Sequence, residues 1–459
     1  MERWWKWFLF LLLAMGPGRA MAQEVKTLPT ADERYKADIL LVVAHPDDEG
    51  AATPYLARAI DEGKRVAIVY GTRGSSGANE AGSEQAGALG AVREIEARRA
   101  AATLGITNVW FLGGKDTASQ NVLVSLANWE HGAALEQLVR LVRLTRPEVV
   151  LTFLPGTFIG EDHGDHQAAG VLATEAFDLA GDPAVFASQV AAPMRRLEPF
   201  LENLRPWQAK KIYYFPDADR EDIFRGKGPE YSVKEIAKST KRAYWRTAVE
   251  SFRAHQTQAK GFLDALNKMD EAQIEKTMLA DGGDAQHFVL GKSLVGGTVT
   301  GDIFENISAG AIAFAPPQVV AEPARPDVDA ELAGTWDFYA EFRRAHGLSH
   351  LAHPEPPEIA LQERSALVIP LWLRNETGAV QEFTLSAELP KGWTLQSGTG
   401  KFAVVAKQVA AARVEVGLPE LGEAAKLSAQ EVTVRAEVGG KVVGLIKLRV
   451  ELRKRSLPQ

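Results

Sequence analysis

The chain has 459 residues, 46% hydrophobic and 24% charged, with a formal net charge of −7. That composition belongs to a globular protein with a real core, of two or three domains at this length, and excludes disorder as the main state. The acidic balance disfavours nucleic acid as a partner. The lack of any cysteine eliminates disulfides and thiolate chemistry, and leaves His, Asp and Glu to hold any metal.

Taken in chain order, the first residues read as an export signal. Arg3 and Lys6 supply positive charge, Phe8 to Met15 form a short apolar run, and Ala20-Met21-Ala22 is an A-x-A cleavage site. The run is too short to span a bilayer comfortably. Residues 1–22 are therefore expected to be removed on export to the periplasm, cell envelope or medium, leaving no stable membrane span. From Ala37 strands and helices alternate. Strands are expected at Ile39–Val43, Val66–Tyr70, Val109–Leu112, Val149–Leu154 and Ile212–Phe215. Helices are expected at Tyr55–Glu62, Val92–Leu104 and Ala134–Leu144, with one or two more in 233–267. Apolar strands without alternation are buried on both faces, so the pattern predicts an α/β fold: a Rossmann-like, mainly parallel sheet with helices on both faces.

After Asn306 the character changes. Pro316-Pro317 and Glu322-Pro323-Ala324-Arg325-Pro326 read as a connector, Ala330–Ala345 as a short helix, and Pro354-Glu355-Pro356-Pro357 as a second boundary. Beyond it the period becomes two, with short strands expected at 366–373, 382–389, 402–405, 411–418, 431–438 and 442–450. This predicts an all-β sandwich. The expected units are thus a signal at 1–22, an α/β domain at 23–315, a connector at 316–353 and a β domain at 354–459. The β domain is expected to be dispensable for activity on a small substrate. No feature of the sequence speaks to oligomeric state.

Ligands of open α/β sheets bind beyond the carboxyl ends of the strands. The first strand delivers His45-Pro46-Asp47-Asp48-Glu49 there, and the fourth delivers Asp162-His163-Gly164-Asp165-His166. One His-Asp pair after a strand is usually a turn or cap; two such clusters at one sheet edge point to a site. His45 and Asp48 are three apart at a strand-to-helix turn, and His163 and His166 have the same spacing, which on a helical turn gives one face. A catalytic zinc takes three protein ligands and keeps a position for water, whose pKa falls to roughly 7. A carboxylate not committed to the metal must then act as base, and Asp47 is the natural spare.

Ala44-His45-Pro46-Asp47-Asp48-Glu49 and His163-Gly164-Asp165-His166 resemble the AHPDDE and H-x-D-H elements of the PIG-L/LmbE-like deacetylases. The resemblance covers about residues 36–180, includes Arg93-Glu94-Ile95-Glu96-Ala97, and continues more weakly through Ala254-His255-Gln256-Thr257-Gln258 to about 310. It implies His45, Asp48 and His166 as Zn2+ ligands and Asp47 as the base that later protonates the leaving amine. It implies His163 as oxyanion stabiliser oriented by Asp165, and Arg93 as a substrate contact. Arg73, in the glycine-rich loop Gly71–Asn79 at the same edge, and His255 are further substrate-binding candidates. Gly164 stands where many members have Pro, which should loosen that loop. Leu389-Pro390-Lys391-Gly392-Trp393 resembles a turn of NEW3-type, immunoglobulin-like modules.

The loop Gly71–Asn79 has G-x-x-G-x-x-G spacing, and Gly291-Lys292-Ser293 lacks the first glycine of a P-loop, so neither reads as a nucleotide site. Trp372 and Trp393 read as packing for the β domain rather than a sugar platform. The resemblance and the export signal together imply a zinc-dependent hydrolase removing the N-acetyl group from an N-acetylglucosamine-type sugar or glycan. The alternatives are an amidase acting on a non-sugar amide and a non-catalytic carbohydrate-binding protein, the latter disfavoured by the intact acid and histidine set.

Overall fold

A computed structural model describes residues 32–156, 163–192, 194, 202–215, 225–280, 283–322, 324–352, 356–420 and 429–453. The expected export signal at 1–22 lies outside the described residues. Among the described residues no helix is long and apolar enough to cross a membrane.

Five parallel strands form the central sheet: β1 (Ile39–Val43), β2 (Val66–Tyr70), β3 (Asn108–Phe111), β4 (Val149–Phe153) and β5 (Lys211–Phe215). Of the later strands β6 (Glu230–Ser232), β7 (Ala285–His287) and β8 (Val289–Ser293), β8 closes the sheet antiparallel to β5. The order β3-β2-β1-β4-β5-β8 reverses direction between β1 and β4, which makes their carboxyl ends the switch point where a crevice opens. Both strands are buried along their whole length, as their unbroken apolar sequences require.

The helices are α1 (Thr53–Asp61), α2 (Ala86–Thr103), α3 (Val122–Asn128), α4 (His131–Thr145) and α5 (Gly164–Leu179), then α6 (Tyr244–Phe252), α7 (Gln256–Leu266) and α8 (Glu271–Met278). Right-handed crossovers put α1 and α2 on one face and α3 to α5 on the other. The packing agrees: α1 and α2 meet α6, while α3 and α4 meet α5, which lies on β1, β4 and β5.

The stretch expected to be a connector does more. Val328–Leu332 is not helical but a strand, β9, and a helix α9 follows at Thr335–Ala345. Gly334, at φ 68°, separates them. The remaining strands are β10 (Glu358–Gln362), β11 (Ala366–Asn375), β12 (Gln381–Glu388), β13 (Thr394–Ser397), β14 (Gly400–Val404), β15 (Gln408–Gly417), β16 (Gln430–Val438) and β17 (Lys441–Arg453). They form two sheets, β10-β17-β16-β12-β14 and β13-β15-β11-β9, whose apolar side chains join in one cluster. Along β11 the period of two is literal: Leu367, Ile369, Leu371 and Leu373 are buried, and Val368 is exposed.

α9 contributes Tyr339 and Phe342 to the α/β core, while Trp336 packs on the β cluster. Trp372 is not in that β cluster, because it stands on the other face of β11; its indole N–H donates to Asp337 of α9 at 2.9 Å. Trp393 is buried within the cluster.

Candidate active site

The loop leaving β1 folds tightly because Asp48 caps it. Its Oδ2 accepts the backbone N–H groups of Ala44 at 3.0 Å and His45 at 2.7 Å. This brings the Asp48 carboxylate to within 3.4 Å of His45 Nδ1 and 3.2 Å of His166 Nε2. The two imidazole nitrogens are themselves 3.3 Å apart. Donor atoms around a tetrahedral cation with bonds near 2.0–2.2 Å lie roughly 3.3–3.6 Å from one another. His45 Nδ1 and His166 Nε2 therefore stand at the separation of two ligands to one divalent ion, with a different oxygen of Asp48 facing each. His163, or the pair Asp116 and Asp165, brings further donor atoms close to His45. The rings are held in place: His166 stacks on Phe153 at 4.3 Å, and His163 stacks on His166 at 4.9 Å.

Burial alone would raise the Asp48 carboxyl, but the charges and hydrogen bonds of His166 and His45 override it and hold it well below its usual range. Burial, then the neighbouring Asp48 charge, pushes Asp47 up to about 7. For His163, burial and the nearby His45 and His166 push the imidazole down to about 4. Its Nδ1 accepts the backbone N–H of Asp165 at 3.3 Å, which caps α5 and leaves the proton of the neutral ring on Nε2.

Asp165 was expected to orient His163, but its side chain turns to His45. Its Oδ2 is 3.3 Å from His45 Nε2 and accepts the Thr117 N–H at 2.9 Å. Asp116, which sequence reasoning missed, also lies 3.3 Å from His45 Nε2, and its other oxygen accepts the Ser76 N–H at 2.7 Å. Two carboxylates thus face the outer nitrogen of His45 and set its tautomer so that Nδ1 points to His166 and Asp48. The strand-end rule would have found Asp116, since it follows β3; Gly113-Gly114-Lys115 reads as a plain turn instead.

Arg93, Arg73 and His255 separate. Arg93 borders the cleft, and its guanidinium donates to the Gly74 carbonyl, to Ala78 O at 2.7 Å and to Thr257 Oγ1 at 3.3 Å. It shapes the glycine-rich loop. Arg73, expected to bind substrate, instead pairs with Glu94 at 2.7 Å and is half-exposed outside the cleft. His255, expected likewise, is fully buried; its Nε2 lies 2.5 Å from Glu49 Oε1. Burial opposes its charge, but Glu49 raises its pKa. The segment around it is a clamp. Thr257 bonds Glu96 at 3.0 and 2.6 Å, and Gln258 donates to Pro46 O.

Asp47 has φ 112°, a left-handed conformation costing a non-glycine residue about 1–3 kcal/mol. Its N–H donates to Glu49 Oε2 at 3.0 Å. Gly164 does not loosen its loop. Its N–H donates to Ser119 O at 2.6 Å, a bond proline cannot make, and a Cβ would sit 2.9 Å from the Asn121 backbone. The resulting cleft, about 390 Å3, is lined by His45, Asp47, Asp48, His163, His166 and Arg93 among others. It offers a candidate base, a neutral N–H donor and a group of candidate cation ligands in one cleft.

Residues 40–177 match the family described as PIG-L: GlcNAc-PI de-N-acetylase. The chain is 30% identical over 244 residues to a 1D-myo-inositol 2-acetamido-2-deoxy-alpha-D-glucopyranoside deacetylase of Thermobifida fusca, covering 48% of this chain and 82% of that protein. It is 30% identical over 311 residues to a Frankia alni deacetylase of the same description, covering 59% of this chain and 99% of that one. Among solved structures it is similar to the conserved protein TT1542 from Thermus thermophilus, at 25% identity and a TM-score of 0.35, over 56% of this chain and 96% of the other. The family match falls on the strands and loops that build the cleft, and with relatives covered over most of their length, this chain belongs to the PIG-L family.

Proposed function

We propose that this protein is a zinc-dependent N-deacetylase that hydrolyses the acetamide of an N-acetylglucosamine-type sugar or glycoconjugate. The observation that carries the reading is the pair His45 Nδ1 and His166 Nε2, 3.3 Å apart and each faced by a different oxygen of the Asp48 carboxylate at 3.4 and 3.2 Å, in one cleft with Asp47 and His163. Two nitrogens and one carboxylate are a hydrolytic zinc set with a position to spare. His45, Asp48 and His166 would hold the ion, which supplies Lewis acidity toward the acetamide oxygen and a more acidic water.

The chain's own groups do the rest. Asp47 takes a proton from water as it adds to the acetamide carbon, then gives it to the departing amine; its burial supports a proton affinity suited to both steps. His163, neutral and protonated on Nε2, donates a hydrogen bond to the oxygen on which negative charge develops. Asp165 and Asp116 keep His45 in register. The two relatives' names both specify a 2-acetamido-2-deoxyglucoside, which favours an amino sugar over a non-sugar amide.

We further propose that residues 1–22 direct export and that the β region is a NEW3-type, immunoglobulin-like module. Acetate release across a panel of N-acetylated sugars and simple amides, with and without chelator, tests the reading. Chelator-sensitive release confined to amino sugars is expected, with about one zinc per chain by elemental analysis. Asp47→Asn should retain the zinc and lose turnover by at least about 100-fold. Near-normal turnover in that variant rules Asp47 out as the base.

A further inference from the structure

A second cavity, of about 680 Å3, opens beside the first, and Ala118 and His163 line both. One wall belongs to the α/β core, with Ser119 and with Gln167 of α5. The other belongs to the β region, with Trp336, Ile359, Leu361 and Val368. The walls are bonded to each other. The Gln120 amide accepts from Ala360 N at 3.2 Å and donates to the same residue's carbonyl. Thr335 Oγ1 donates to Asn121 Oδ1 at 3.0 Å, and the Tyr339 hydroxyl donates to Gln167. Gly164 holds the Ser119 side in turn. Main-chain and side-chain bonds on both sides of the junction therefore fix the width of this cavity.

We propose that this cavity is the subsite for whatever is glycosidically attached to the reacting sugar, and that it takes a further neutral sugar unit, so that oligosaccharides are preferred over the free monosaccharide. The proposal rests on the deacetylase reading and adds the β region as part of the substrate site. A substituent leaving the smaller cleft past His163 enters this space directly. Its volume falls in the roughly 300–1,000 Å3 range of small-molecule sites. Its lining combines apolar side chains with hydroxyl and amide groups, as a pyranose combines C–H faces with hydroxyl edges. Trp336 is a half-buried aromatic whose other contacts are to the β cluster, which makes it a rigid stacking surface. No Lys or Arg is among its described lining residues, and the acid Glu358 is already paired with Arg449 at 3.6 Å. Among the described lining residues a phosphorylated substituent finds no cation, whereas a neutral sugar needs none.

The test compares kcat/KM for acetate release from N-acetylglucosamine and from its di- and trisaccharides, in wild type, Trp336→Ala and Val368→Trp. Val368 is exposed, so the larger ring fills the cavity without entering a core. Wild type should favour the oligosaccharides by about tenfold or more, the worth of one good aromatic contact. Both variants should lose that preference while keeping monosaccharide kcat/KM within about twofold of wild type. Equal rates on all sugars in wild type, or variants that keep the preference, overturn the subsite and leave the deacetylase reading standing. No acetate from any amino sugar overturns the deacetylase reading, and the subsite with it.

Discussion

Glu49 shows how a residue without chemistry of its own can control a neighbour that has it. One carboxylate oxygen holds the backbone N–H of Asp47 in a left-handed conformation, and the other is held by the buried imidazole of His255. Asp47 is therefore aimed by its backbone, and the strain is offset by a chain of bonds reaching α7. On the proposed mechanism Glu49 positions the base. Glu49→Leu removes both acceptor oxygens at similar size, so both bonds are lost. Turnover should fall on the order of 100-fold, as for other small misplacements of a reacting group, with KM moved by less than about threefold. Zinc content should stay at one per chain. An unchanged kcat removes Glu49 from the mechanism, and loss of zinc makes it a support of the metal loop instead. The hexapeptide Ala44–Glu49 was legible as a site because six adjacent residues carry it. The His255 contact was not, because 206 residues separate it from Glu49 and a lone histidine near a helix start carries no periodic signal.

The five parallel strands were legible because burial on both faces leaves an apolar run that few other structures explain. β9 was not. Asp327 to Gly334 is rich in residues that suit a helix, yet Val328–Leu332 pairs in register with β11 from Asn375 to Leu371. Tertiary pairing overrides local propensity there. Between helices the decisive contacts are also long-range. His131 at the start of α4 lies 2.6 Å from Glu175 on α5, and that hydrogen bond, opposed by partial burial and aided by the Glu175 charge, raises the imidazole pKa. A folded value above the unfolded one, about 6.5, means the stabilisation is full below that pH and fades as pH rises through the folded value. Glu175→Gln should therefore lower the thermal midpoint more near pH 5.5 than near pH 8.5. Equal shifts at both pH values, read by calorimetry, would show that the contact does not depend on the imidazolium.

At the scale of the molecule, the proline-rich boundaries at 316–326 and 354–357 invite cutting the chain there, and the packing between them argues against it. β9 belongs to the β sheets and α9 to both cores. α9 is also tethered at its end: His346 Nδ1 and Lys292 Nζ meet the buried Asp178 carboxylate at 2.7 and 2.6 Å. Burying Tyr339 and Phe342 contributes about 3–6 kcal/mol together, at 1.5–3 for each large ring. That is a large share of a domain's usual net stability of about 5–15 kcal/mol. A chain ending at residue 352 keeps α9 but leaves β9 without β11, and loses the Trp372–Asp337 and Gln120–Ala360 bonds. One ending at 315 uncovers the α/β core where α9 lies. The expected order of thermal midpoints is full length, then 352, then 315. Within the intact chain Phe342→Ala should cost about 3–5 kcal/mol in urea unfolding, because a buried ring is replaced by a cavity in the α/β core. A cost below about 1 kcal/mol, or a chain ending at 315 as stable as one ending at 352, would make α9 a passive connector after all.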